Sequence, residues 1–304
     1  MGRRLPPGPS GLPLLGNALQ VPTQHLATYF KQVIEKYGNL VSLKVAGFTV
    51  ILVGDLKTAK ELLEKRSVKY SSRPKLSYFR KHVDPENYLW GFSDEGEPHS
   101  LGRKLTAGIM SLVRAGKTEP LQEYEATLNV QHLLDDGGKD WFHHIKRWAG
   151  FFAKEDKPGG DQRRLVRQFT SAAIETTTIS LHTFVLACIR YPDWIARAQR
   201  EIDDVVGLDR LPTFKDRPFL PYVEAIVRVR FGIPHRSTAD DVIEYQGSQY
   251  FIPKDSIIFA VTWAIEHDKS KFKEHDRFMP ERFLDSEGRL EGSYETSAFG
   301  FGRR

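Results

Sequence analysis

The sequence predicts an α+β fold that is mainly α-helical and carries small β-sheets. Apolar residues recur at helical spacing from His25 to Tyr37, and two strand-like runs, Leu40–Val45 and Thr49–Val53, follow directly. A long stretch rich in apolar and β-branched residues, from Arg163 to Arg190, predicts a further helix. Because several helices come between the early and the late strands, this order differs from the alternating strands and helices of a nucleotide-binding sheet.

The N-terminal residues predict a leader that precedes one domain. The prolines and glycines of Pro6–Pro13 exclude a helix or a central strand, so residues 1–18 are expected to form a proline-rich leader. Residues 19–304 are then expected to form a single domain. Within it, Gly38 ends the first helix and Asp55 caps the second.

The remainder of the chain predicts broken helices and then short strands. Residues 78–148 are mostly helical with intervening loops, and Pro192 restarts a helix that ends at Gly207. The other predicted elements are a shorter helix, Phe219–Arg230, and three strands, Val242–Tyr245, Tyr250–Ile252 and Ser256–Val261.

Composition limits the classes of protein that this sequence can form. The chain has 304 residues, 40% of them apolar, and a formal net charge of +5. Its Lys and Arg are spread among acidic residues, which predicts a solvated surface and no nucleic-acid binding. Attraction to an acidic partner or to anionic lipid stays open. No run reaches the roughly 18 apolar residues of a membrane span, and the first residues lack a signal peptide.

Several short patterns lack the spacing that their chemistry needs. Gly116-Lys117-Thr118 lacks the upstream glycine of a phosphate loop. His143-His144 and the pair of His267 and His275 lack the spacing of a zinc protease, so no metal site is predicted. The single cysteine, Cys188, excludes an internal disulfide and a multi-cysteine metal site.

Segments in a consistent order along the chain resemble the cytochrome P-450 family of the fungal type. Phe299-Gly300-Phe301-Gly302-Arg303-Arg304 matches the first part of that family's haem loop, Phe-x-x-Gly-x-Arg-x-Cys-x-Gly. Ala172–Thr177 resembles the oxygen-binding kink of the family's long central helix, and Phe278–Phe283 resembles its Pro-Glu-Arg-Phe stretch. Further segments that resemble family landmarks are the proline-rich leader, Tyr70–Pro74, Gly232–His235 and Trp263–Asp268.

The resemblance implies a haem-thiolate monooxygenase. Glu175 and Thr176 would deliver protons during the oxygen chemistry. The residues that the resemblance places at the haem are His99, Arg103, His235, Phe299, Gly302 and Arg304. Electrons would come from NADPH–cytochrome P-450 reductase, and the substrates would be small hydrophobic molecules, as in secondary metabolism. The family resides at the endoplasmic reticulum membrane, whereas this chain, without an anchor, is expected in the cytoplasm or peripheral to the membrane.

The sequence departs from the family pattern at positions that the chemistry needs. The family's cysteine ligand would come two positions after Arg304, and Cys188 lies on the long helix, where it cannot replace that ligand. The Glu-x-x-Arg motif is missing, since Glu224 has no arginine three positions later, and segments near residues 150 and 230 are absent. We therefore expect an incomplete cytochrome P-450 fold, truncated at residue 304, that lacks normal monooxygenase activity.

Two alternatives stay open from the sequence. One is a non-catalytic protein that binds haem or a partner through the remaining surface. The other is an ordinary active monooxygenase whose missing segments were lost through a gene-model error. If the segments are truly absent, apolar residues all around the Arg163–Arg190 helix lose their cover, which predicts a loosely packed fold.

Overall fold

The protein is described by a computed structural model that covers residues 4–75, 77–82, 96–150, 176–226, 234–291 and 301. Within these ranges helices make up most of the regular structure, and the strands form one four-stranded and one two-stranded sheet. The predicted α+β class, mainly helical with small sheets, is confirmed.

The helices fall mainly in the middle of the chain. They are α1 (Leu26–Tyr37), α2 (Leu56–Lys60), α3 (Ser67–Tyr70), α4 (Ser77–His82), α5 (Glu97–Arg114), α6 (Glu119–Asp135), α7 (Trp141–Gly150), α8 (residues 176–190), α9 (Ile195–Val206), α10 (Pro221–Ile226) and α11 (Thr262–Glu266). A π-helical turn, Glu61–Lys65, joins α2 to α3, and short 3-10 turns cover Pro192–Trp194, Arg217–Phe219 and Pro280–Phe283.

The strands are β1 (Leu40–Val45), β2 (Phe48–Val53), β3 (His235–Arg236), β4 (Asp241–Tyr245), β5 (Ser248–Ile252) and β6 (Ile257–Ala260). The larger sheet has the order β1-β2-β6-β3; β2 and β6 are parallel, and the other neighbouring pairs are antiparallel. The smaller sheet is the β4–β5 hairpin. Strand β2 is internal, and its residues Val50–Val53 are all buried, as expected for a strand covered on both faces.

Local signals in the sequence place the N-terminal elements. The Asp55 carboxylate accepts a hydrogen bond from the Thr58 amide at 2.8 Å, so the predicted cap of α2 is confirmed. Gly38 follows α1 with a positive φ of 102°, and its amide donates to the carbonyl of Ile34. The predicted helix Phe219–Arg230 begins later, at Pro221, because a proline is favoured in the first turn of a helix.

The proline-rich leader lies along the outer edge of β1. The Ser42 hydroxyl donates to the carbonyl of Pro6 at 2.6 Å, and the Ser42 amide donates to the carbonyl of Pro7 at 2.9 Å. A Cβ atom added to Gly8 would lie 2.0 Å from the carbonyl oxygen of Ser42, so only glycine permits this close approach. The leader thereby covers an edge strand that would otherwise expose unpaired main-chain groups.

The described residues divide into two compact units. The first comprises the described residues up to His99 together with residues 234–276 and 301; the second comprises residues 100–226 and 277–291. The first unit holds two large clusters of buried apolar side chains, on the two faces of the four-stranded sheet. The second holds a smaller cluster, formed by Ala187, Trp194, Ala198, Tyr222 and Ile226. The division into a leader and one domain stays a prediction.

Helix α8 buries only part of its apolar surface. Ala187 lies in the cluster of the second unit, whereas Ile179, Leu186 and Ile189 are 47%, 57% and 75% exposed. Large apolar side chains on a helix are more often covered by a neighbouring element in a packed protein. These three side chains are exposed, and the loose packing predicted for the Arg163–Arg190 helix stays a prediction, because residues 163–175 lie outside the described ranges.

Candidate functional site

The predicted site residues are distributed over both units. Glu175, Phe299, Gly302 and Arg304 lie outside the described residues. His99 and His235 belong to the first unit, where each is buried. Arg103, on α5, and Thr176, in the first described turn of α8, belong to the second unit, and both are exposed. Phe301, the one described residue of the haem-loop segment, is buried in the core of the first unit.

His235 is held in a fixed orientation. It lies on the short strand β3, opposite Ile258 of β6, and its Nδ1 atom is 2.8 Å from the carbonyl oxygen of Tyr70. Because a carbonyl oxygen only accepts hydrogen bonds, Nδ1 must carry the hydrogen. The other ring nitrogen, Nε2, can then donate to a carboxylate only when the ring is protonated.

Two segments that are far apart in sequence pair beside His235. The Arg236 amide donates to the carbonyl of Ser72, and its guanidinium donates to the carbonyl of Arg73 and to the Ser72 hydroxyl. In return, Arg73 donates to the carbonyl of Pro234 at 2.8 Å. Arg236 also forms a salt bridge with Asp255. We call these residues, 70–73 and 234–237, the paired segments.

The arginines of the paired segments were not among the predicted site residues. Arg73 and Arg236 are 7% and 8% exposed, so both guanidinium groups are buried. Each stands within or next to a segment that resembles a family landmark, Tyr70–Pro74 or Gly232–His235. Their position in or beside these segments was the one sequence signal for the two arginines. Neither segment by itself indicates that the two segments pair in the fold.

A second polar cluster anchors the paired segments to the β4–β5 hairpin. The buried carboxylate of Asp241 accepts from the Tyr70 hydroxyl at 3.0 Å, from Lys69 at 2.6 Å and from Arg66 at 3.0 Å. Burial alone would raise the pKa of Asp241, but the hydrogen bonds from Lys69, Arg66 and Tyr70 outweigh it and lower that pKa. Burial, and then the Asp241 charge, raise the pKa of Tyr70 far above its usual value, so its phenol remains a donor.

On α8 the buried threonine is Thr178, two positions after the predicted Thr176. Thr178 is buried, and its hydroxyl has no hydrogen-bond partner among the residues that the structure describes. Thr176 is exposed, and its carbonyl accepts from the Ser180 hydroxyl at 2.8 Å. A buried hydroxyl without a hydrogen-bond partner is uncommon in native proteins. The sequence alone did not indicate that Thr178 would be buried.

Cys188 lies on α8 against the apolar cluster of the second unit, where its side chain is partly buried. Burial raises the pKa of its thiol, which favours the neutral form over the thiolate. This environment is that of a small apolar side chain.

The acidic residues near the expected Glu-x-x-Arg position have other partners. Both oxygens of Glu224 accept from Arg217, at 2.8 and 2.7 Å. Glu281, in the Pro-Glu-Arg-Phe turn, accepts from the Tyr222 hydroxyl at 2.5 Å. Arg282, in the same turn, is half-buried and donates to the carbonyls of Met279 and Arg277. These main-chain acceptors offset the loss of water around its guanidinium.

The donors of the paired segments suit the chemistry of haem. Haem carries two carboxylates, and buried Arg and His side chains are the donors that bind carboxylates most strongly. His235, Arg73 and Arg236 are all buried in the first unit, with main-chain acceptors that orient their rings and guanidinium planes. Among the described residues no group of three or more His, Cys, Asp or Glu side chains is placed to hold a metal ion.

Comparison with known proteins identifies the family. The family model described as cytochrome P450 (here written P-450) matches residues 6–140 and 158–304. The chain is 30% identical to the cytochrome P-450 monooxygenase claR of Ampulloclitocybe clavipes over 409 positions, which cover 99% of this chain and 75% of that relative. It is 29% identical to monooxygenase 58 of Postia placenta and 28% identical to peniB of Penicillium patulum, each over 99% of the chain and 77% and 73% of the relative.

The alignments also locate differences from these relatives. The 409 aligned positions of the first comparison exceed the 304 residues of this chain by 105, so that relative carries residues without a counterpart here. Residues 141–157, which include the predicted discontinuity near residue 150, lie between the two matched ranges. The matched ranges nevertheless include nearly all of the chain, and the chain belongs to the cytochrome P-450 family.

Proposed function

We propose that the chain is a cytochrome P-450 monooxygenase by family whose 304 residues, as a polypeptide on their own, bind haem through its carboxylates but do not form the thiolate-bound centre. In this family a haem with a cysteine thiolate on its iron supplies the activation of O2. The observation that carries the proposal is the position of Cys188, the single cysteine of these residues. Its side chain packs in an apolar cluster, where burial favours the neutral thiol over the thiolate. Normal monooxygenase turnover is therefore not expected from this polypeptide.

The paired segments would supply the binding part of the function. Arg73 offers a buried guanidinium to the haem carboxylates, and a protonated His235 offers Nε2–H. Arg236, which pairs with Asp255 and bonds to Ser72 and Arg73, would keep the paired segments aligned. His99 and Arg103 are proposed to assist, and so are Phe299, Gly302 and Arg304 of the haem-loop segment. Glu175 and Thr176 are proposed to move protons in an active relative that retains these positions.

The partners follow from the family. NADPH–cytochrome P-450 reductase would supply electrons, and a small hydrophobic molecule would be the substrate, as in secondary metabolism. The alternative function is a non-catalytic protein that binds haem or a partner.

Haem titration tests the binding part of the proposal. We expect the purified polypeptide to take up haem, and we expect His235→Ala to weaken that uptake by about tenfold because one charge-assisted hydrogen bond is lost. The measurement is the absorbance change on titration with haem. His275→Ala is the matched control, because His275 contacts Asp276 and is not part of the paired segments. Equal affinity in His235→Ala and the unaltered chain would contradict the role of His235.

We further propose that the protein associates peripherally with membranes through its leader. No helix in the described ranges is both long and apolar enough to cross a membrane. The turn from Leu12 to Gly16, closed by two main-chain hydrogen bonds, holds Leu14 98% exposed at its tip, and Leu19 nearby is 75% exposed. No acidic residue precedes Glu35 in the sequence. A rigid apolar tip without acidic neighbours suits the interface of an anionic bilayer.

Vesicle binding tests this localisation. Cosedimentation with vesicles of phosphatidylcholine and phosphatidylserine is expected to fall at least about threefold in Leu14→Ser with Leu19→Ser, since each change removes an apolar group from the interface. Leu208→Ser is the control, because Leu208 is 86% exposed but lies in the second unit. If Leu208→Ser lowers cosedimentation equally, the binding does not depend on the leader, and the proposal is contradicted.

A further inference from the structure

The orientation of His235 depends on the main chain of Tyr70. The Nδ1 atom of His235 is bonded to the Tyr70 carbonyl, which lies at the C-terminal end of the four-residue helix α3. A helix this short is weakly stable by itself, so its last carbonyl is positioned by contacts from outside the helix.

The Tyr70 side chain provides one such contact, beside the main-chain bonds that the Lys69 and Ser72 carbonyls accept from Thr238 and Arg236. It is completely buried, and its hydroxyl donates to Asp241 on β4, 171 residues later in the chain. Asp241 is itself held by Lys69 and Arg66, and Arg66 also pairs with Glu61 of the preceding π-helical turn. The hydroxyl therefore binds an acceptor that is fixed from several sides.

The neighbouring contacts keep the paired segments in register but do not hold the imidazole ring of His235. The main-chain bond from Arg236 to Ser72 and the side-chain bond from Arg236 to Arg73 align the paired segments. Neither bond involves the imidazole of His235. The Tyr70 carbonyl accepts the hydrogen of Nδ1 and thereby favours the Nδ1–H tautomer.

We propose that the Tyr70–Asp241 hydrogen bond is a positioning device for His235. It holds the Tyr70 carbonyl so that the imidazole keeps its hydrogen on Nδ1 and directs Nε2, which donates once the ring is protonated, to the ligand carboxylate. The inference rests on the proposed function for the carboxylate, but its first part concerns the haem-free protein. Tyr70, Asp241 and His235 form one chain of contacts from the β4–β5 hairpin to the candidate haem contact. Tyr70 and Asp241 act through His235 and do not themselves contact the ligand.

The test compares Tyr70→Phe with Tyr245→Phe in the full chain. Tyr70→Phe keeps the ring and removes only the hydroxyl; Tyr245→Phe removes a hydroxyl on β4 that accepts from Gln246 instead. Nitrogen-15 spectra of histidine-labelled protein without haem report the tautomer of His235, whose signals are assigned with His235→Gln. In the unaltered chain and in Tyr245→Phe we expect the Nδ1–H form. In Tyr70→Phe we expect a mixture of both tautomers and a roughly three- to tenfold weaker affinity for haem.

The outcomes separate the inference from the proposed function. An Nε2–H tautomer in the unaltered chain, or an unchanged Nδ1–H tautomer in Tyr70→Phe, overturns the positioning role even if that variant is less stable. Asp241→Asn retains an acceptor for the hydroxyl, so it should keep the Nδ1–H form. If the tautomer changes in Tyr70→Phe but the unaltered chain takes up no haem, the positioning role stands and the proposed haem function fails.

Discussion

Replacing Asp241 with alanine is expected to lower the free energy of unfolding of the first unit by about 2–4 kcal/mol. The change leaves the buried hydroxyl of Tyr70 without its acceptor and removes the carboxylate from between Arg66 and Lys69. The charged ends of Arg66 and Lys69 are partly exposed, so water can solvate them once the carboxylate is removed. The expected loss of stability is therefore smaller than for a fully buried ion pair. The measurement is urea unfolding followed by far-ultraviolet circular dichroism.

The neighbouring aspartate is the control for this change. Asp240 is exposed and accepts a main-chain hydrogen bond from Lys254, so Asp240→Ala should cost less than about 1 kcal/mol. If Asp240→Ala and Asp241→Ala destabilise the protein equally, the cluster around Asp241 does not have the importance assigned to it.

The same carboxylate predicts a pH dependence with a definite sign. The folded protein lowers the pKa of Asp241, so its contribution to stability is fully present above the unfolded pKa, about 3.9, and is lost as the pH falls through the lower folded value. The stability difference between the unaltered chain and Asp241→Asn should therefore be constant from pH 7 to about pH 5 and shrink below about pH 4. A difference that grows on acidification would contradict this assignment.

The second unit is expected to unfold at a lower urea concentration than the first, and to bind hydrophobic dye before it unfolds. Among the described residues its apolar cluster contains five buried side chains, whereas the two clusters of the first unit together bury many large side chains completely. The exposed residues of α8 supply the surface for the dye. Variants that retain only Trp194 or only Trp263 report the second and the first unit separately.

A triple variant isolates the contribution of α8. Ile179→Gln, Leu186→Gln and Ile189→Gln replace exposed side chains, so we expect the dye signal to fall several-fold with a change of less than about 1 kcal/mol in stability. Replacing Ala187, which is buried on the same helix, is the opposite control: Ala187→Gln should destabilise the second unit. One sharp transition for both tryptophans, without dye binding, would show that α8 is covered and the unit well packed.

Much of the fold could be predicted because its signals are local. The spacing of apolar residues in α1, the cap at Asp55 and the glycine after α1 each involve residues within four positions of one another. The start of α10 at Pro221 was missed by two residues, although proline is itself a local signal for the first turn of a helix.

The site was less predictable because its contacts are long-range. The resemblance supplied His235, but the bonds from Arg236 to Arg73 and from Tyr70 to Asp241 join residues 163 and 171 positions apart. No periodicity in the sequence specifies such pairs, since they depend on how β3 and β4 pack against the segment after α3. Main-chain acceptors such as those of Arg282 are likewise not recognisable from residue types.

The central claim is that the 304 residues do not place a thiolate on haem iron, and the carbon monoxide difference spectrum tests it most directly. The polypeptide is mixed with haem, reduced and exposed to carbon monoxide, beside Cys188→Ser and a chain extended through the family's x-Cys-x-Gly. We expect the unaltered chain and Cys188→Ser to give identical spectra without the red-shifted Soret band of a thiolate-bound haem. A red-shifted band in the unaltered chain that disappears in Cys188→Ser would contradict the account.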